Sequence, residues 1–185
     1  MKTEFQVKLL QHMVRKKEDQ GFTLIELLVV IIIIGILAAI ALPSFLNQAN
    51  KAKQAEAKTN IGSLNRAQQA YYLEKNEFAD QSNFANLGLG IKTQTTNYKY
   101  SIADGGASSS AASNLANTVA TQAPLKTYVG AVNVGTVTTA GTSEATTLAV
   151  LCEANTPISA GGPQATAGTY SKTTGPACPA NFTTL

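Results

Sequence analysis

The sequence predicts an α+β protein in which a long N-terminal helix packs on a small antiparallel β-sheet head. Three observations carry this expectation. Residues 22–42, FTLIELLVVIIIIGILAAIAL, include 18 hydrophobic residues among 21, with Thr23, Glu26 and Gly35 the exceptions. Residues 43–75 are rich in helix-forming Ala, Lys, Gln and Glu. Residues 76–185 change to short alternating stretches divided by Gly- and Ser-rich turns, the pattern of small strands.

The apolar segment holds 14 of the chain's 38 Ile, Leu and Val residues. As a helix it would be about 31 Å long, close to the ~30 Å hydrocarbon core of a bilayer. The β-branched run Val29–Ile34 would suit a buried strand, but the length and the basic flank favour a membrane span. Lys2, Lys8, Arg15, Lys16 and Lys17 all precede it. The positive-inside rule therefore puts the N-terminus in the cytoplasm and residues 43–185 outside. Residues 1–21, which also hold His12, read as a cytoplasmic flank or as a removable leader.

In residues 43–75, Ala57, Ile61, Leu64, Gln68 and Tyr71 recur at spacings of three and four and form one mainly apolar stripe. Lys51, Lys53, Glu56, Lys58 and Arg66 mostly fall off it, as a solvated face. The expected object is one helix from about Phe22 to Tyr72, roughly 76 Å long, bent or loosened at Pro43 and Gly35.

In the head, Tyr98, Tyr100 and Ile102 would share one strand face, as would Leu148, Val150 and Cys152. Lys126–Val129 and Val132–Val137 are weaker strand candidates. Asp104-Gly105-Gly106 and Ala140-Gly141-Thr142 read as turns, and residues 105–123 as a mobile surface loop. Only 24 of residues 43–185 are Ile, Leu, Val or Phe, so the head cannot build a rich core by itself. The sheet is expected to lie on the helix stripe.

Composition also excludes function classes. A net charge of +3 is too small for an electrostatic nucleic-acid footprint, and DNA binding finds no support. With His12 the only His, no Ser-His-Asp or Cys-His arrangement survives removal of the leader. Two Cys without His argue against structural zinc, and Asp80 and Asp104 are too few Asp for an EF-type calcium loop. Gly88-Leu89-Gly90 is a fragment of a dinucleotide fingerprint and reads as a turn. No catalytic residue, metal or cofactor is expected. Cys152 and Cys178, on a domain placed outside the cytoplasm, are expected to form a disulfide. Glu26 sits inside the apolar segment, where a carboxylate needs a partner, a function or a place at the water level. Asn181-Phe182-Thr183 fits a short glycosylation sequon, and Ser and Thr of 105–147 are candidate sugar carriers.

The stretch GFTLIELLVVIIIIGILAAIALPSF, Gly21 to Phe45, resembles the signal region of type IV prepilins. The resemblance rests on a basic leader, Gly before Phe, Glu at the fifth position after it, and Pro43. The stretches AQQAYYLEKNEFA and TNYKYSI also resemble pilins of cyanobacteria. It implies the type IV pilin fold, divided into a leader 1–21, an assembly helix 22–42, an amphipathic half 43–75 and a head 76–185 with a C-terminal disulfide loop 152–178. It implies that a prepilin peptidase cuts after Gly21 and methylates the amine of Phe22. It implies that Phe22, Glu26 and Pro43 serve assembly into a helical homo-oligomeric filament. An assembly ATPase and an inner-membrane platform would drive that step. Pili of this class serve motility, adhesion and DNA uptake. A minor pilin or a type II secretion pseudopilin is the alternative within the resemblance. Glu18 and Asp19 depart from the usual basic approach to the cleavage site. Ala39-Ile40-Ala41 matches an ordinary secretory cleavage pattern, which would release a soluble protein. A single-span anchored binding domain is the reading outside the family.

Overall fold

A computed structural model describes residues 21–139, 142–171 and 173–185. The leader before Gly21, with His12, and the Ala140-Gly141 part of the expected turn lie outside the described residues. The chain divides into two compact units, Met1–Leu46 and Asn47–Leu185.

Helix α1 covers Leu24–Lys75, starting two residues later and ending three later than the sequence suggests. Thr23 caps its start, and Leu73, Glu74 and Lys75 extend it because all are good helix formers. Asn76 stops it by turning left-handed at φ 56°, with its N–H bonded to Tyr72 O at 2.8 Å. Lys75 in the last turn complements the helix dipole. Helical geometry continues through Gly35 and Pro43.

In the second unit, Ala57, Ile61, Leu64 and Gln68 are buried as the spacing predicts, together with Asn65. Tyr71 departs from the stripe: it is half-buried, and its neighbour Tyr72 packs against the core by stacking on Phe78 at 4.7 Å between ring centres. A stripe stepping by three and four drifts around the helix, so the residue facing the core moves by one position near the end.

Five strands form one antiparallel sheet in the order β1-β2-β3-β4-β7: β1 Tyr98–Ala103, β2 Ala111–Thr118, β3 Tyr128–Thr139, β4 Thr142–Ala154 and β7 Phe182–Thr184. Strands β5 Thr169–Ser171 and β6 Gly175–Ala177 pair separately. Tyr98, Tyr100 and Ile102 share the buried face expected of them. The two weaker candidates fall together on one strand, β3, which begins at Tyr128 rather than Lys126 and runs through Gly130. A Cβ at Gly130 would stand 2.2 Å from Asn65 Oδ1 and 2.6 Å from Ile61 Cγ2, so glycine lets the helix approach the strand closely.

The expectation of a mobile loop over 105–123 is wrong. Within it, β2 lies between β1 and β3 and is almost wholly buried. AASNLANT reads as loop because Asn, Ser and Ala are poor strand formers. In the fold its small side chains leave room for close layers, and Ser113, Asn114, Asn117 and Thr118 each make at least one hydrogen bond, with the buried Asn114 Oδ1 left without one. The turn expectations fare better: Asp104 and Gly106 have φ of 63° and 104°, and Gly88 and Gly90 of 68° and 64°.

Both faces of the sheet are covered. Ala112, Ala116, Tyr128 and Val132 join Ile61 and Leu64 under the helix. Leu115, Val129, Val150 and Cys152 face the other way and pack with Ala165, Cys178 and Phe182 of the C-terminal segment. The expected pairing of Val150 and Cys152 on one face therefore holds, but on the face away from the helix. Helix and sheet are joined by amide side chains where large aliphatics are scarce. Asn60 Nδ2 donates to Tyr100 Oη at 2.9 Å, and Asn65 Nδ2 to Val150 O at 2.9 Å. Gln69 Nε2 donates to Thr147 O at 3.0 Å. Gln68 acts like a strand: its Nε2 donates to Ala79 O and its Oε1 accepts from Ala79 N, both at 2.9 Å. Each such bond adds about 1 kcal/mol net, and losing one partner costs more than that.

Candidate functional site

Every residue from Gly21 to Gln48 is exposed within this chain. Phe22 is 89% exposed and Leu24 80%. A helix apolar on all sides cannot remain in water and must be covered by lipid or by other protein. Its most apolar stretch is long and apolar enough to cross a bilayer.

The start of this helix carries a capping box. Glu26 Oε2 accepts from Thr23 N at 2.8 Å and from Thr23 Oγ1 at 2.7 Å. In return Thr23 Oγ1 accepts from Glu26 N at 3.3 Å. The carboxylate is therefore held in its own first turn, where the positive end of the helix dipole also favours it. Thr23 is a residue that sequence reasoning missed. Its signal was present as Thr-x-x-Glu ahead of an apolar run.

The expected site residues fall into separate places. Phe22 and Glu26 line one shallow groove with Ile25, Val29 and Val30, and Gly21 precedes it. Pro43 lies farther along inside α1, where it removes one backbone hydrogen bond. Cys152 and Cys178 form the expected disulfide, with a Cα–Cα distance of 5.7 Å. Cys152 is buried on β4, and Cys178 is partly exposed beside Thr184. Among the described residues no cluster of three His, Cys, Asp or Glu side chains could hold a metal ion.

Asp80 is a half-buried loop residue whose carboxyl is held below its ordinary range by the Ser82 hydroxyl and the Asn83 backbone N–H. Burial raises the Tyr98, Tyr100 and Tyr128 hydroxyls above the usual tyrosine range, aided at Tyr128 by Glu153. These groups are structural: Tyr98 Oη donates to Lys126 O at 2.9 Å, and Tyr128 Oη to Glu153 Oε2 at 3.3 Å.

Comparison with known proteins agrees with this architecture. The type IV pilin-like G and H family model matches residues 54–179, and the prokaryotic N-terminal methylation motif matches residues 16–42. The chain is 51% identical over 65 residues to the type IV major pilin protein PilA of Myxococcus xanthus, covering 35% of this chain and 30% of that protein. It is 34% identical over 93 residues to the type IV wide pilus major component PilA4 of Thermus thermophilus, covering 50% of this chain and 70% of that one. It is also 39% identical over 64 residues to the type II secretion system core protein G of Aeromonas hydrophila, covering 35% and 45%. The matches to the M. xanthus and A. hydrophila proteins thus span less than half of each relative. No solved structure matches.

Proposed function

Because the chain belongs to the type IV pilin-like family, we propose that it is a structural subunit that polymerises through its N-terminal helix into a type IV pilus. The observation that carries this reading is the fully exposed apolar helix with a single capped carboxylate at its start. Such a surface suits both storage in a membrane and burial among identical helices. Head-to-tail contacts that do not close into a ring give a filament.

The path begins with a membrane precursor whose N-terminus is cytoplasmic and whose head lies across the membrane. A prepilin peptidase cuts after Gly21 and methylates the new amine of Phe22. A Cβ on Gly21 would meet nothing within 4 Å, so the fold itself does not require glycine there. The requirement then comes from a close-fitting protease site. An assembly ATPase and an inner-membrane platform draw the processed subunit into the fibre. There Glu26 leaves its own cap and pairs with the Phe22 amine of a neighbour. Breaking a buried ion pair costs about 3–5 kcal/mol, enough to enforce register. Motility, adhesion or DNA uptake would be services of the assembled extracellular fibre.

A second reading is a minor pilin or a type II secretion pseudopilin, favoured by the similarity to core protein G. Shearing cells and measuring the intact mass of the fibre protein tests both. A dominant subunit beginning at methylated Phe22 supports a major pilin. A chain beginning at Phe22 that stays in the membrane and is scarce in fibres supports the second reading. Release of a soluble chain beginning at Leu42 would refute both.

A further inference from the structure

The outer face of the sheet carries a row of polar side chains that the proposed function does not use. Each bonds the backbone or a hydroxyl of one C-terminal stretch that is irregular up to Gly168 and ends in strand β5. Thr127 Oγ1 donates to Pro163 O at 2.8 Å. Asn117 Oδ1 accepts from Ala165 N at 2.7 Å, and its Nδ2 donates to Ala165 O at 3.3 Å. Ser113 Oγ accepts from Gly168 N at 2.9 Å and contacts Tyr170 Oη. Asn133 Nδ2 donates to Ser171 O at 2.9 Å. Thr127, Ser113 and Asn133 are all at most 2% exposed.

A second observation fixes the same stretch. A Cβ added to Gly168 would lie 2.9 Å from Ala131 Cβ and 3.0 Å from Ala177 O. The segment presses on the sheet there as closely as a backbone can. Ala165, in the middle, is itself buried in the outer cluster.

We propose that residues 163–171 form a strap whose path is set by Ser113, Asn117, Thr127 and Asn133, and that the strap stays docked when the Cys152–Cys178 bridge is opened. The four side chains act as a substitute strand, offering donors and acceptors that the irregular part of the segment, ahead of β5, cannot find in a ladder. Asn117 does this for both backbone groups of Ala165 at once. The bridge joins the chain beyond the strap, at Cys178, to β4. It therefore secures the segment between β6 and β7, and it reaches the strap only through the short pairing of Thr169–Ser171 with β6. This holds whether or not the chain polymerises.

The test is hydrogen exchange on the full-length protein in detergent micelles, read by mass spectrometry on peptides spanning 163–171. Three forms are compared: wild type, Cys152→Ser/Cys178→Ser, and Ser113→Ala/Asn117→Ala with the bridge intact. The serine pair should leave exchange at 163–171 within about threefold of wild type. The alanine pair should speed it by about tenfold or more, because each lost bond contributes of order 1 kcal/mol to closing. Exchange at Leu115 and Val129 reports whether the sheet itself is intact. If the serine pair does not fold, wild type is reduced after folding and alkylated, and the same peptides are read. Loss of protection at 163–171 on opening the bridge would overturn the proposal. So would unchanged protection in the alanine pair.

Discussion

Thr23 and Glu26 hold each other at the start of α1, with Glu26 Oε2 accepting two hydrogen bonds from Thr23 and returning one through its backbone N–H. Replacing a Thr cap by Ala typically costs about 1 kcal/mol of helix stability. Thr23→Ala should therefore fray the first turn, seen as faster amide exchange over Leu24–Leu27 in micelles. Thr23→Ser should restore protection.

The same pair bears on assembly. Glu26→Val removes the carboxylate while keeping an apolar helix start. The variant should be cleaved after Gly21 at the normal rate yet give sharply less sheared fibre. Wild-type fibre yield would show that Glu26 has no partner in the filament.

Gln68 is completely buried and closes on both backbone groups of Ala79. Gln68→Leu keeps the volume roughly and leaves two buried backbone groups unpaired, at about 1–3 kcal/mol each. Melting followed by circular dichroism should show a clear fall in Tm. Asp80 and the loop that follows should become susceptible to proteolysis.

Gly130 faces Asn65 and Ile61. Gly130→Ala must push the helix outward or turn both side chains, at about 1–3 kcal/mol for overpacking. Denaturant unfolding should show a lower midpoint. Gly62→Ala, where a Cβ meets nothing within 4 Å on α1, should be neutral or slightly stabilising.

Buried tyrosines make the head sensitive to alkali. Tyr170 is pushed up to about 12, first by burial and then, against the lowering effect of the Ser113 bond, by Asp104. Unfolded tyrosine titrates near ~10. Between those values the unfolded chain loses a proton that the folded chain keeps, so stability is intact below about 10 and falls as pH rises toward 12. Tyr98 and Tyr128 act in the same direction. Thermal melts across this range should show the fall, and Tyr170→Phe should lessen it.

Much of this was legible because α1 is written in long, repeated signals. The run Leu24–Leu42 and the spacing of Ala57, Ile61 and Leu64 survive any context. The alternation of Tyr98, Tyr100 and Ile102 did equally well, since three large residues on one face leave little choice. What failed was β2, where Ser113, Asn114 and Asn117 look like a loop until their partners are known. Asn114 Nδ2 donates to Asn65 Oδ1, and Ser113 and Asn117 hold the C-terminal strap. These partners lie 48 to 55 residues away in the chain, beyond any local pattern. At the candidate site, Glu26 stood out as a charge in apolar surroundings. Thr23 did not, although Thr-x-x-Glu ahead of an apolar run carried its signal, because the charge of Glu26 drew the attention that the pair as a capping box should have had.

The amide pins between α1 and the sheet also act as an index mark. An oily contact can slip by a turn of helix, about 5.4 Å, and still be oily. Asn60, Asn65 and Gln69 have fixed addresses on the sheet, at Tyr100, at Val150 and Asn114, and at Thr147, and Gln68 has one on the chain just beyond the helix, at Ala79. A slip or a rotation forfeits all four together. A helix seated this way transmits a pull along its axis to several strands at once, and the head should release it in one step.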